Sequence, residues 1–228
     1  MNKMIGWMAG AAAVAMMATV PAGAQEAQGK FQVKVLGSVV LPDGKIDKVL
    51  SNAAGVPATT QSKANDNVVP TVALEYFVTP NISVETICCL TTHHINGTAP
   101  AALDGASLFS NVNILPATLT AKYHLDLGPI KPYIGAGPAY FFFISEHPGA
   151  DAKALGLTKG HINDKFGGVL QAGVDVPLGI KGFGLSVDAK RYFVRPSAHW
   201  YNDAGTELLA TRHKLDPWVL SAGVSYRF

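Results

Sequence analysis

The chain has 228 residues, 48% hydrophobic and 15% charged, with a formal charge of +2 and a mean hydropathy of +0.20. A chain this apolar with so little net charge is not of the disordered class. Its 18 Lys and Arg stand against 16 Asp and Glu, which leaves no excess of cations to neutralise a phosphate backbone, so no nucleic-acid partner is expected.

Residues 1–24 read as a secretory signal peptide. Lys3 supplies the positive start, residues 5–20 form an apolar run rich in Ala and Met, and Ala22-Gly23-Ala24 gives a small-x-small cleavage pattern. The run is short for a membrane anchor and ends in helix-breaking Pro21 and Gly23. The mature chain then begins at Gln25 and forms one domain, residues 25–228, of 204 residues with 17 basic and 16 acidic groups. No second helical span follows. Residues 132–144 are too few to cross as a helix and carry Gly135, Gly137 and Pro138; the uncharged stretch 86–103 contains His93, His94, Asn96 and Pro100 and reads as loop.

From residue 31 onward the pattern alternates with period two, the signature of strands with unlike faces. Phe31, Val33, Val35, Gly37 and Val39 oppose Gln32, Lys34, Leu36, Ser38 and Val40. Val72, Leu74, Tyr76 and Val78 oppose Thr71, Ala73, Glu75 and Phe77, and Ile82, Val84, Thr86, Cys88 and Leu90 oppose Ser83, Glu85, Ile87 and Cys89. The same alternation runs from Leu115 to Leu125, less clearly from Tyr133 to Ile144, then through residues 167–176, 183–190 and 218–228. That makes eight strands. The connections at 42–69, 91–114, 145–165 and 194–216 are long, and those at 79–81, 126–131 and 177–182 are short. An even strand count with this long-short alternation predicts an all-β fold, an eight-stranded antiparallel up-and-down transmembrane β-barrel with periplasmic turns and four long extracellular loops.

Periodicity does not tell the inside of a barrel from the outside, and a soluble barrel would reverse the faces. Two features favour the membrane. Aromatic residues gather at strand ends, with Phe31, Tyr76, Tyr123, Tyr133 and Tyr226 at one rim and Tyr140, Phe142, Tyr192 and Trp218 toward the other. The chain also closes on Tyr226-Arg227-Phe228, resembling outer-membrane proteins whose terminal aromatic residue is read by the assembly machinery.

The opening Phe31-Gln32-Val33-Lys34-Val35, the run Thr79-Pro80-Asn81-Ile82-Ser83-Val84-Glu85 after Tyr76-Phe77, Leu115-Pro116-Ala117-Thr118-Leu119 before Tyr123-His124, Lys131-Pro132-Tyr133-Ile134-Gly135-Ala136-Gly137, and Leu215-Asp216-Pro217 with the terminal Tyr-Arg-Phe together resemble the OmpW family. The resemblance spans nearly all of the mature chain apart from the long loops. It implies an eight-stranded barrel of the Gram-negative outer membrane with a narrow, largely apolar interior, implicated in the passage of small hydrophobic molecules.

Placing each inward residue by its height along its strand divides the lumen. The lower half carries Lys34, Lys122 and Arg227 against Glu75, Glu85 and Asp175, a balanced plug where unpaired charge would be costly. The upper half carries Leu36, Val40, Ile87, Val169 and Val219, with Tyr192 near the rim and only Asp188 and Lys190 as charges. A solute entering from outside would find no aqueous path down. Pro138, which has no N–H for a ladder and lies beside Gly135 and Gly137, marks either a lateral opening into the membrane or a β-bulge that merely curves the wall.

Catalysis is not expected: the histidines at 93, 94, 147, 161, 199 and 213 are scattered over loops, and none sits in a motif with a serine and an acid. Metal binding by His93 and His94 is likewise unsupported, and no cofactor is expected. Cys88 and Cys89 point to opposite faces of one strand, so a bridge between them is not expected. The expected function is passive uptake of small hydrophobic molecules, with lateral release into the membrane as one route. The expected partners are those solutes, outer-membrane lipid, and the assembly machinery reading Tyr226 and Phe228. The alternative is a structural, adhesive or surface-receptor barrel with a plugged lumen.

Overall fold

A computed structural model describes residues 29–228; the expected signal peptide, residues 1–24, lies outside the described residues. The strands are β1 (Phe31–Leu41), β2 (Lys45–Asn52), β3 (Gln61–Ala64), β4 (Asn67–Phe77), β5 (Ile82–Cys88), β6 (Thr91–Ala99), β7 (Ser107–His124), β8 (Lys131–Pro148), β9 (Lys159–Ile162), β10 (Lys165–Pro177), β11 (Phe183–Phe193), β12 (Ser197–Tyr201), β13 (Glu207–Lys214) and β14 (Trp218–Arg227). A single helical turn, α1 (Ala150–Ala154), follows β8.

Antiparallel pairing runs β1–β4–β5–β7–β8–β10–β11–β14 and returns to β1, so the wall is a closed eight-stranded barrel. β5 and β6 are one stave broken at Cys89 and Leu90. Both pair with β7 in a single register, Ile87 opposite Thr118 and Thr91 opposite Ile114. The alternation read from the sequence sets the faces: Val35, Val72, Leu119, Leu170, Val187 and Val224 lie exposed on the outer wall, while Lys34, Ser38, Glu75, Lys122 and Asp188 are buried inside. An apolar exterior around a charged interior reverses the soluble arrangement and suits a hydrocarbon surround.

The long connections are not loops. β2, β13, β12 and β9 form a four-stranded sheet beyond the barrel, and β3, β6, the first half of β7 and the second half of β8 carry the wall outward past its apolar belt. The stretch 86–103, expected to be loop, is mostly strand. The reason lies in the register. Opposite Ala210–Thr211 and Arg212–His213 the partner β2 carries an extra residue each time, Leu50 and Asp47, and between His93 and Asn96 the partner β7 carries two; each changes the parity of the residues beyond it. A strand with such irregularities has two faces in space but no clean alternation in sequence.

Two residues of the expected aromatic rims turn inward. Tyr133 and Tyr192 are 3% and 1% exposed and belong to the lumen, whereas Phe31, Tyr76, Tyr123, Tyr226 and Phe228 remain on the outer wall at the turn end. Phe31 and Phe228 exchange backbone hydrogen bonds of 3.1 and 2.8 Å where the two ends of the barrel chain meet.

Candidate functional site

The lower lumen is filled by one connected set of charges. Lys122 Nζ lies 2.9 Å from carboxylate oxygens of both Glu75 and Glu85, and Lys34 Nζ lies 3.0, 3.3 and 3.2 Å from Glu75, Glu85 and Asp175. The set extends higher than expected: Lys190 Nζ reaches Glu85 at 3.2 Å and Asp188 at 2.6 Å, so the pair assigned to the upper lumen belongs to the plug. His124 and Ser83 donate to Glu75, Gln171 donates to Glu85 and Asp188, and the Tyr133 hydroxyl donates to Asp188 at 2.9 Å. Lys122 also sits 3.7 Å from the centroid of the Tyr133 ring, a cation–π contact. The expected balance of three against three is therefore corrected to three lysines and four carboxylates, joined by neutral donors. Arg227 stands at the turn end of this set, where it feels the charges of Glu75 and Asp175. It stands over the Phe77 ring at 3.4 Å and donates to the Gly29 carbonyl at the turn end.

Above Lys190 the inward side chains become apolar, and the lumen opens. A narrow cavity is walled by Val40, Ile87, Cys89, Ile114, Phe141 and Val219, with Tyr192 beside Phe141 and with Thr91 and His93 toward the extracellular end. Val40, Ile87, Tyr192 and Val219 were expected here. Leu36 and Val169 are buried inside the barrel but do not line the cavity. A second cavity of similar size lies further out between the wall and the extracellular sheet, walled by Ile95, Val112, Phe143, Ile162, Ala198 and His213 among others. His93, Ile114 and Leu215 line both and form the partition between them. Trp200 of β12 stacks on Phe109 of β7 at 4.1 Å and anchors the sheet over the outer cavity.

The two histidines of this route lie outside the membrane-spanning part of the wall. His93 hydrogen-bonds Thr91 and the Asn65 carbonyl; His213 hydrogen-bonds Thr211 and the Gly44 carbonyl. Burial lowers the pKa of each, so the fold holds both as neutral imidazoles.

The wall is not equally sealed around the cavity. Between Ile87–Thr118 and Thr91–Ile114 the ladder joining the β5–β6 stave to β7 lapses, and Pro116, which has no N–H to donate, lies in the unpaired stretch facing Cys89. Cys89 and Pro116 both line the inner cavity. At Pro138, the expected opening, the outcome differs. The β7–β8 ladder lapses between Thr118–Ala139 and Ala121–Ala136, but the backbones are pressed together there, since a Cβ on Gly137 would overlap the Leu119 carbonyl oxygen. Pro138 itself stays in register with Gly168 and lines neither cavity. The lateral-opening assignment to Pro138 is corrected accordingly: the glycine permits a tight seam, and the thin place lies at Pro116. Cys88 is exposed on the outer wall and Cys89 is buried on the inner one, each as a free thiol.

Sequence reasoning did not reach Cys89, Thr91, His93, Ile114, Pro116, Phe141 and Leu215 as cavity residues. The available signal was Pro116, a proline inside an alternating strand.

The OmpW family model matches residues 27–228. An outer-membrane protein of Sinorhizobium fredii, y4mB, described as uncharacterized, is 30% identical over 200 residues, covering 87% of this chain and 80% of that one. Outer membrane protein W of Vibrio cholerae is 26% identical, with 96% of this chain and 97% of the relative covered. Among solved structures, the outer membrane protein OprG from Pseudomonas aeruginosa superposes with a TM-score of 0.76 at 21% identity, over 88% of this chain and 96% of OprG. AlkL, an outer membrane protein solved in lipid bilayers, superposes at 0.69 with 24% identity, over 93% and 97%.

Proposed function

The chain belongs to the OmpW family of outer-membrane proteins, and from that premise we propose that it is a passive conduit for small hydrophobic molecules. Such a molecule enters between the extracellular sheet and the wall, crosses the partition at His93, Ile114 and Leu215, and occupies the inner cavity. Transfer out of water is favourable by about 25 cal/mol per Å² of apolar surface, so apolar lining alone retains it. The floor of buried charge denies it any route toward the periplasm, because crossing would break ion pairs that hold one another. The exit is sideways, past Cys89 and Pro116 into the hydrocarbon.

One observation carries this reading: an apolar cavity above a closed charged plug reaches the wall where the ladder lapses. The test compares uptake of a medium-chain alkane tracer by cells lacking the protein, cells expressing it, and cells expressing Cys89→Trp, with folded barrel in the membrane verified by heat-modifiable gel mobility. Faster uptake with the native chain and loss of that gain with Cys89→Trp is the expected result. Equal uptake in all three, across several apolar tracers, would leave the extracellular sheet as the seat of function.

A further inference from the structure

The extracellular side of the barrel carries an arrangement that hydrophobic transport does not use. β13 and β2 pair so that Lys214 stands opposite Lys45 and Arg212 opposite Lys48. Backbone hydrogen bonds from Leu215 to Val194 (3.2 Å) and from His213 to Pro196 (2.9 Å) bring Lys214 alongside Arg195 as well. Arg195, Lys214 and Lys45 therefore form one row across three adjacent segments, with Arg212 and Lys48 in the next. Like charges directly opposite one another on paired strands are destabilising. Two carboxylates offset part of this: Asp47 lies 2.7 Å from Arg212 and 3.9 Å from Arg195, and Asp43 lies 3.3 Å from Lys45. Five cations against two carboxylates remain, in a chain whose mature form is nearly neutral.

The place of this cluster indicates what would neutralise it. Arg195 follows Arg191 and Phe193 at alternate positions along the outer face of β11. Phe193 is exposed, and Arg191 stands 5.2 Å over the exposed ring of Trp218 while donating to the Asp216 carbonyl. Below them Leu170, Val187 and Leu220 continue the exposed apolar wall. Cations thus stand directly above an aromatic rim and a lipid-facing surface, where a phosphate-bearing lipid of the outer leaflet places its head group above its acyl chains. A dissolved anion would have no use for the apolar wall beneath. We propose that Lys45, Lys214, Arg195 and Arg212 bind the phosphate groups of a phosphorylated glycolipid of the outer leaflet, with its acyl chains lying on Phe193, Trp218 and Leu220. Guanidinium and ammonium groups around phosphate make short, charge-assisted hydrogen bonds, and the in-register repulsion becomes a binding contribution once the anion is present.

The test uses the full mature barrel in neutral detergent. Binding of diphosphorylated lipid A is compared with that of enzymatically dephosphorylated lipid A, with inorganic pyrophosphate as a separate arm, for the native chain, Lys45→Gln/Lys214→Gln, and the equal-charge control Lys153→Gln/Lys159→Gln. The expected result is about a tenfold preference of the native chain for the phosphorylated lipid. The control keeps that preference, the cluster variant loses it, and pyrophosphate competes only at far higher concentration. No preference in the native chain, an undiminished preference in the cluster variant, or pyrophosphate binding as tightly as the lipid would each overturn the proposal. If the cluster variant fails the heat-modifiability check, the native chain decides: its preference must shrink as salt is raised, and a salt-independent preference overturns the proposal.

Discussion

The two halves of the lumen are built from the same strands with the same inward parity, yet one is solid and the other hollow. In the lower half, long side chains reach across the barrel and satisfy one another, with Lys122 and Lys34 each gripping two glutamates. In the upper half the inward residues are mid-sized and apolar, and they do not meet at the centre. An eight-stranded barrel is just wide enough for its side chains to fill it. Whether it does so is decided by side-chain reach and by the electrostatic demand that buried charges be paired. Charge closes this barrel, and the absence of charge opens it.

The contrast can be broken from the lower side. Lys122→Met removes one of the two lysines shared by Glu75 and Glu85 and leaves the buried plug one cation short, and should cost about 3–5 kcal/mol in urea unfolding of the barrel in vesicles. A loss below about 1 kcal/mol would mean that the plug is wetter than its burial implies. From the upper side, Val40→Phe adds volume to the inner cavity; tracer uptake should drop toward that of cells lacking the protein, at a stability cost no greater than about 1–3 kcal/mol.

The two lapses in the wall sharpen the comparison. Gly137→Val places a side chain against the Leu119 carbonyl and should destabilise by about 1–3 kcal/mol, because the seam there is tight. Pro116→Val supplies an N–H opposite Cys89; one added ladder bond should stabilise by roughly 0.5–1.5 kcal/mol and slow uptake. A stabilised barrel with undiminished uptake would rule out exit at Pro116. The smallest effect concerns pH. Since burial lowers the pKa of His93 and His213, their contribution to stability is fully present above the unfolded value near 6.5 and is lost as pH falls from there through the lower folded values. Amide exchange in β6 and β13 should quicken on acidification in the native chain and less so in His93→Gln/His213→Asn.

Much of this was legible in the residues. Seven staves alternate without a break within the membrane, so their number follows from period two, and the inward placement of Lys34, Glu75, Glu85, Lys122, Asp175, Val40, Ile87 and Val219 follows once the aromatic strand ends and the terminal Phe228 put the apolar face outside. The extracellular extensions were not legible, because extra residues in β2 and β7 scramble parity. The membership of Asp188 and Lys190 in the plug was not legible either: height along a strand does not show which side chains meet across a lumen. Pro116 and Pro138 carry the same local signal. Pro138 lay in mid-strand beside glycine and attracted attention, whereas Pro116 stood near the apparent start of its strand, where proline is ordinary. Only the register of β5 and β6 reveals that this start is the middle of a longer stave.

The seam between β1 and β14, where Gln32 faces Arg227 and Leu41 faces Trp218, joins the first and last strands of the barrel. Such a pairing has the largest loop-closure entropy the polypeptide can present. Until it forms, two unsatisfied edges face whatever surrounds them, and hydrocarbon tolerates neither. Insertion is therefore an all-or-nothing event that waits for the carboxyl end. Truncating even the last few residues should leave a population that folds no stave in the bilayer, because a ring with one segment missing has no partially correct form.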